Sequence, residues 1–323
     1  MTQTLPAPAR RPRVPRLTGP VRTTLRLHRV ALWLWLATVL AACGLLLWLH
    51  GPGADAAVRQ LARCAPSDCD YIGGPSFRYE QLLRSVGAFV YLTPYIAALF
   101  MGVVCVGREL ERGTAQLAWV QSVSPARWLA TTLAVPAAWF IAGTIPLVTL
   151  LHLVATSGPE PRIPWYDEYL FLGSGPLALT RVVLGLAAGA LGGVLFRKAL
   201  AGGVAGVAAF LVTGYLSARY RISLWPTVTE HGPVPPAAPA GAQVLRRDAV
   251  TAAGEHVTND LACVDAGGAA QLRRCARGFQ DFSVTYHPSS HYWPLQLTES
   301  AGILLLAAAA TAAAFAILRH RTP

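Results

Sequence analysis

Residues 85–107 read SVGAFVYLTPYIAALFMGVVCVG without one charged side chain, and Arg108, Glu109, Leu110, Glu111 and Arg112 follow at once. A helix needs roughly 20 apolar residues to cross the hydrocarbon of a bilayer, and lipid offers no partner for backbone polar groups, so such a run predicts a membrane-spanning helix. Five further charge-free runs cover residues 30–50, 128–159, 182–196, 199–218 and 300–318. The shortest, 182–196, reaches spanning length if it begins near Leu177 and Arg181 extends along the helix to the interface. The whole chain of 323 residues is 54% hydrophobic and 13% charged, with a mean hydropathy of +0.43. Soluble domains carry about a quarter charged residues, which excludes a single soluble core. The fold class expected is all-α, a polytopic membrane protein of six transmembrane helices.

Six spans put both termini on one side. The side holding residues 1–29, the segment 107–128, the turn at Arg197 and Lys198, and the tail at Arg319 and Arg321 carries fourteen basic and two acidic residues; the other carries thirteen and fourteen. The balances, +12 and −1, place cytoplasmic N- and C-termini by the positive-inside rule. The net charge of +11 is thus spread over short loops beside apolar spans, not along a soluble nucleic-acid-binding stripe. No cleavage site follows the first run at the usual distance, so that run is expected to stay as a span. Lys198 is the lone lysine among 27 basic residues, a bias that, with abundant Ala, Gly and Pro, reads as that of a GC-rich bacterial genome and points to a plasma membrane.

The organisation expected is a cytoplasmic Arg/Pro-rich tail over residues 1–29 with an interfacial helix at 21–29, then spans one to five over 30–218. An extracellular loop over 219–297 and a last span with its tail over 298–323 follow. In the loops facing outward, Cys64, Cys69, Cys263 and Cys275 form candidate disulfides, within or between loops, in an oxidising compartment. Cys43 and Cys105 sit in spans and read as small apolar fillers. His287 and His291 are four apart, but Pro288 disfavours a helix between them, so solvated imidazoles in an interfacial loop are expected and no metal site. Gly185, Gly189 and Gly193, and likewise Gly202 and Gly206, recur every four residues; that spacing serves intramolecular packing more often than a dimer seam.

The segment 107–128, GRELERGTAQLAWVQSVSPARW, carries the most information. The second span continues as a charged helix through Arg112, and Gly113 is placed to end it in a left-handed conformation. A short amphipathic stretch with Leu117, Ala118 and Val120 follows, and Ser124 with Pro125 reads as the cap and first residue of the next helix. The result is a short helix across the cytoplasmic ends of two spans, a surface suited to a partner.

This segment resembles that of the permease subunits of type-two ABC exporters, in which a Glu-x-Glu-x-Gly-Thr segment and a Ser/Pro-Ser/Pro-x-Arg turn join the second and third spans. Here Glu109, Glu111, Gly113, Thr114, Ser122, Ser124, Arg127 and Trp128 carry the match, with Trp119 between them. Six spans, a long segment between the fifth and sixth, and the Tyr-His-Pro-Ser-Ser-His-Tyr-Trp run at 286–293 are similar to a bacterial branch of that family. The resemblance implies a coupling helix docked on a separate ATP-binding subunit, and a permease that pairs as a homodimer or heterodimer. Glu111 is then expected to face basic groups of that partner. The chain itself lacks the Gly-Lys-Ser/Thr of a phosphate-binding loop, because Lys198 lies between Arg197 and Ala199. It is therefore not expected to be an enzyme or to hold a cofactor. His152 and Glu299 alone bring ionisable groups near the spans, which argues against ion coupling. The substrate class expected is hydrophobic or amphipathic. The alternative is a membrane sensor or interaction protein whose extracellular loop binds a ligand.

Overall fold

The computed structural model of the protein describes residues 25–63, 73–121, 123–159, 163–251, 253–258 and 279–321. The tail before residue 25, Ser122, and the expected disulfide residues Cys64, Cys69, Cys263 and Cys275 lie outside the described residues. Six helices are long and apolar enough to cross a membrane, Arg29–Arg63, Pro75–Glu111, Pro125–Ser157, Pro176–Phe196, Ala199–Ser223 and Ser289–Arg321. Each falls on one of the six runs, and the chain is a mostly helical multi-pass membrane protein.

The first span is α1 (Arg29–Trp48), which passes through a π-helical turn at Leu49–Gly53 into α2 (Ala54–Arg63). Pro52 lies in that turn; its missing N–H and bulky ring loosen the regular ladder. The second begins well before its apolar run as α3 (Pro75–Leu99), with Gly74 at the cap and Pro75 at the first position. Polar residues carry it beyond the apolar run, where Arg84 pairs with Asp167 at 2.9 Å. It widens into a π-helical stretch at Phe100–Gly107, then continues as α4 (Arg108–Glu111). After the short helix α5 (Thr114–Val120) come α6 (Pro125–Ser157), with Pro136 and Pro146 inside one continuous helix, and α7 (Glu168–Gly173). Then follow α8 (Pro176–Phe196), α9 (Ala199–Tyr220) and the last span, α10 (Tyr292–Arg321).

Helix α8 is the centre of the bundle: 72% of its spanning window is buried, against 11% for the first span. Glycine explains how it gets there. A Cβ at Gly185 would collide with the carbonyl oxygen of Pro94, and one at Gly189 with that of Ala98; one at Gly206 would come within 2.7 Å of the Gly189 Cα. The four-residue glycine spacing therefore brings α8 against α3 and α9 within one chain, which is the packing reading of that pattern. Cys105 is buried at the same interface, a free thiol.

Two expectations about polar side chains are corrected. Arg181 does not run along α8 to the interface; it is 5% exposed, with its guanidinium over the rings of Tyr91 and Phe210. His287 is not solvated: it is fully buried, with one ring nitrogen 2.9 Å from Nδ1 of His291 and the other 3.1 Å from the Ile222 carbonyl oxygen. The reason is a sheet that the sequence reading did not expect. Residues 219–297 contain β1 (Val228–Gly232), β2 (Gln243–Thr251), β3 (His256–Thr258) and β4 (Phe279–His287). They form an antiparallel sheet in the order β1-β4-β2-β3, with Phe282, Val284 and Tyr286 of β4 buried. The Tyr286 hydroxyl donates to the Glu230 carboxylate, which holds the phenol above its usual pKa.

Candidate coupling segment

Residues distant in sequence converge at the end of the bundle where α1 begins and α10 finishes. The His28 ring meets Phe100 edge-on at 5.4 Å. Arg321 donates to the carbonyl oxygens of Val194 and Leu195 at 3.2 and 2.9 Å, satisfying acceptors that the end of α8 leaves free. The segment 107–128 lies at this end.

Its local conformation follows from its residues. Gly113 has φ 73° and ψ 5°, the left-handed conformation that costs glycine nothing, and it turns the chain from α4 into α5. Thr114 ties the turn by donating from its hydroxyl to the Glu109 carbonyl at 3.1 Å. At the far side, Ser124 Oγ accepts from the Arg127 backbone N–H at 3.3 Å and Pro125 takes the first position of α6.

Longer-range bonds then fix the segment to three spans. The indole N–H of Trp128, on α6, donates to Glu109 Oε2 at 2.9 Å, which joins α4 to the third span. Trp119 packs edge-on against Trp128, with ring centres 5.8 Å apart. The carboxylate of Glu111 accepts from the Ala199 backbone N–H at 2.8 Å, so it serves as a cap for α9. Gln116, with its amide oriented to satisfy both ends, donates to the Gly113 carbonyl at 2.8 Å and accepts from Arg197 at 3.1 Å. Arg197 is the sole described non-glycine residue with positive φ, 53°, and it closes α8 before α9 begins.

Of the residues singled out from sequence, Glu109, Glu111, Gly113, Thr114, Trp119, Ser124 and Trp128 make these contacts. Arg127 has an exposed side chain, and Ser122 is outside the described residues. Glu111 makes an intramolecular bond that the sequence reading did not expect. Ala199, Gln116, Arg197 and Arg321 were not anticipated. The available signal was the short turn at Lys198, after which a new helix must present unpaired N–H groups.

The outward face of α5 is apolar, with Leu117 64% and Val120 87% exposed. Beside it runs a groove of about 970 Å³, whose walls include Leu27, Phe100, Arg108, Val123 and Trp128. Residues 36–221, more than half of the chain, match the family described as "ABC-2 membrane transporter related". No curated protein and no solved structure matches the chain.

Proposed function

The chain belongs to the ABC-2 membrane transporter related family, and from that premise we propose that it is the export permease of a two-component machine. A separate ATP-binding subunit docks on α5 in the cytoplasm. The family and the six apolar helices make it a membrane transporter permease, a transport subunit and not itself a catalytic one.

The observation that carries it is the short helix α5, which presents Leu117 and Val120 to solvent while its flanks are bonded to α6, α8 and α9. Exposed apolar side chains on a polar loop favour burial against a partner. A partner that displaced α5 would load the Glu109–Trp128 and Glu111–Ala199 bonds together, and would move the third and fifth spans with the second. The π-helical stretch Phe100–Gly107 supplies the compliant joint between α5 and the rest of that span. Its inner face is pressed close to the fifth span, where a Cβ on Gly107 would lie 2.8 Å from the Ala199 Cα.

The charge asymmetry supports cytoplasmic termini, the arginine-rich, lysine-poor composition supports placement in a bacterial plasma membrane, and the resemblance to type-two ABC exporters supports pairing of two permease subunits as a homodimer or heterodimer. The substrate expected is hydrophobic or amphipathic. The test is a search for a P-loop ATPase gene beside this one, followed by co-expression of the two chains. Leu117→Glu and Val120→Glu are expected to remove the ATPase from the purified complex while the permease stays in the membrane at normal abundance. Normal co-purification in both variants would overturn the docking role. A sensor is the second reading, supported by the sheet of residues 228–287, which gives the extramembrane segment a folded surface; absence of any neighbouring P-loop gene would favour it.

A further inference from the structure

At the opposite end of the bundle a cavity of about 250 Å³ lies between α3, α8, α9 and α10. One wall is the guanidinium of Arg181, 4.8 Å from the ring centre of Tyr91 and 5.4 Å from that of Phe210. Among the described residues Arg181 has no carboxylate within ion-pair reach. The buried acid that lines the same cavity, Glu299, is already engaged. Arg221 donates to both of its oxygens, from Nε at 2.8 Å and from a terminal nitrogen at 3.1 Å, and the Ser217 hydroxyl donates to it as well. Glu168 also lines the cavity, but it is exposed and forms no ion pair with Arg181.

Arg181 is thus a charge in excess, held in a spanning helix at 5% exposure. Aromatic faces offset only part of the cost of desolvating such a cation, which favours a bound anion to complete the site. The cavity also holds a donor ready for one. The hydroxyls of Tyr91 and Tyr95 share one hydrogen bond at 3.2 Å, so whichever accepts keeps its own proton to give.

The size and the rim decide what carries the anion. Pockets for whole drug-sized ligands run from roughly 300 Å³ upward, so about 250 Å³ suits a headgroup better than a complete amphiphile. Leu211 and Tyr215, which line the same cavity on α9, are 51% and 71% exposed on an apolar spanning helix, so a hydrocarbon chain leaving the cavity would meet lipid.

We propose that this cavity binds the phosphate or carboxylate headgroup of an anionic amphiphile, with Arg181 as its counter-charge, the Tyr91–Tyr95 pair as hydrogen-bond donor and the acyl chain in the bilayer. The binding site stands on the cavity alone. Its use as a substrate site rests on the transport reading above.

The experiment uses the full chain in nanodiscs of phosphatidylcholine, without the ATPase, so that failure of the coupling reading does not affect it. Fluorescent lysophosphatidic acid is titrated, with fluorescent lysophosphatidylcholine as the zwitterionic control and inorganic phosphate as competitor. Saturable binding of the anionic probe is expected, weakened about tenfold or more by Arg181→Gln and largely retained by Arg181→Lys. The double variant Tyr91→Phe/Tyr95→Phe, which leaves the charge in place and removes both hydroxyls, is expected to weaken it about threefold and serves if Arg181→Gln does not fold. Equal binding of the zwitterionic probe, unchanged affinity in Arg181→Gln, unchanged affinity in the Tyr91→Phe/Tyr95→Phe double variant, or displacement by inorganic phosphate as effective as by unlabelled lysophosphatidic acid would each overturn the proposal. ATPase co-purification by Leu117 and Val120 variants reports the transport reading separately.

Discussion

The side chain of Glu111 accepts the backbone N–H of Ala199 at 2.8 Å, across a separation of 88 residues. A carboxylate at the end of the second span thereby satisfies one of the free donors that open the fifth, and its charge faces the positive end of that helix.

Charge reversal at Glu111 should therefore act inside this chain first. Glu111→Lys is expected to lower the thermal unfolding midpoint and to cost about 1 kcal/mol through loss of the cap, in addition to uncoupling ATP hydrolysis from substrate. Glu111→Gln, which keeps an acceptor oxygen, should retain most of both. Thermal unfolding in detergent and substrate-stimulated ATPase activity of the complex check the pair, and equal behaviour of Lys and Gln variants would contradict the capping role.

Gly113 separates backbone strain from surface contact. Its φ of 73° is unfavourable for any residue with a Cβ, and most so for a β-branched one. Gly113→Val is expected to abolish stimulated ATP hydrolysis with normal membrane insertion, whereas Gly113→Asn should keep a substantial part of it, because Asn tolerates the left-handed region. Stimulation equal to wild type in the Val variant would show that the turn is not needed for coupling.

The Trp128–Glu109 bond can be measured as a pair. Trp128→Phe removes the indole donor and leaves a partly buried carboxylate without it, at a cost of about 1–3 kcal/mol. Glu109→Gln should relieve part of that cost in the double variant, since a neutral amide is cheaper to leave unpaired. A double-mutant cycle on unfolding free energy gives the coupling term; strict additivity would remove the bond from the account.

Glycines in the spans divide by what surrounds them. Gly189→Val should prevent recovery of folded protein, because its Cβ has no room against Ala98, while Gly44→Ala, with open space around it, should leave the unfolding midpoint within about a degree or raise it. Size-exclusion profiles and melting curves of both variants test this, and a monodisperse, wild-type-like Gly189→Val protein would contradict the close approach of α8 and α3.

Orientation is open to a direct measurement. Reporter fusions after Gly74 and Ser217 are expected to read outside, and those after Thr114 and Lys198 cytoplasmic, from the +12 to −1 charge balance. Export of the Thr114 fusion would remove α5 from the compartment in which ATP is hydrolysed.

The six spans were legible in sequence because the constraint that makes them is local. In lipid each backbone group must bond within its own helix, so a charge-free run of sufficient length is an adequate signal. The turn at Gly113 and the Ser124-Pro125 start of α6 were legible for the same kind of reason, since each depends on residues within one helical turn. The sheet was not, because its central strand β4 pairs with β1 and β2 across as many as 58 residues, as Tyr286 does with Val228, and no short window contains both partners; only β2 and β3 pair locally. Nor could hydropathy tell which way Arg181 turns: the same residue reaches the interface or enters a cavity according to whether Tyr91 and Phe210 stand beside it. The partner of Glu111 was hidden likewise, since it is a backbone N–H that becomes a neighbour only when α9 packs beside the second span. Composition and short spacing settled which segments cross the membrane and where they turn. Tertiary packing decided which polar groups meet, because contacts between helices depend on the faces brought together by glycines many residues away.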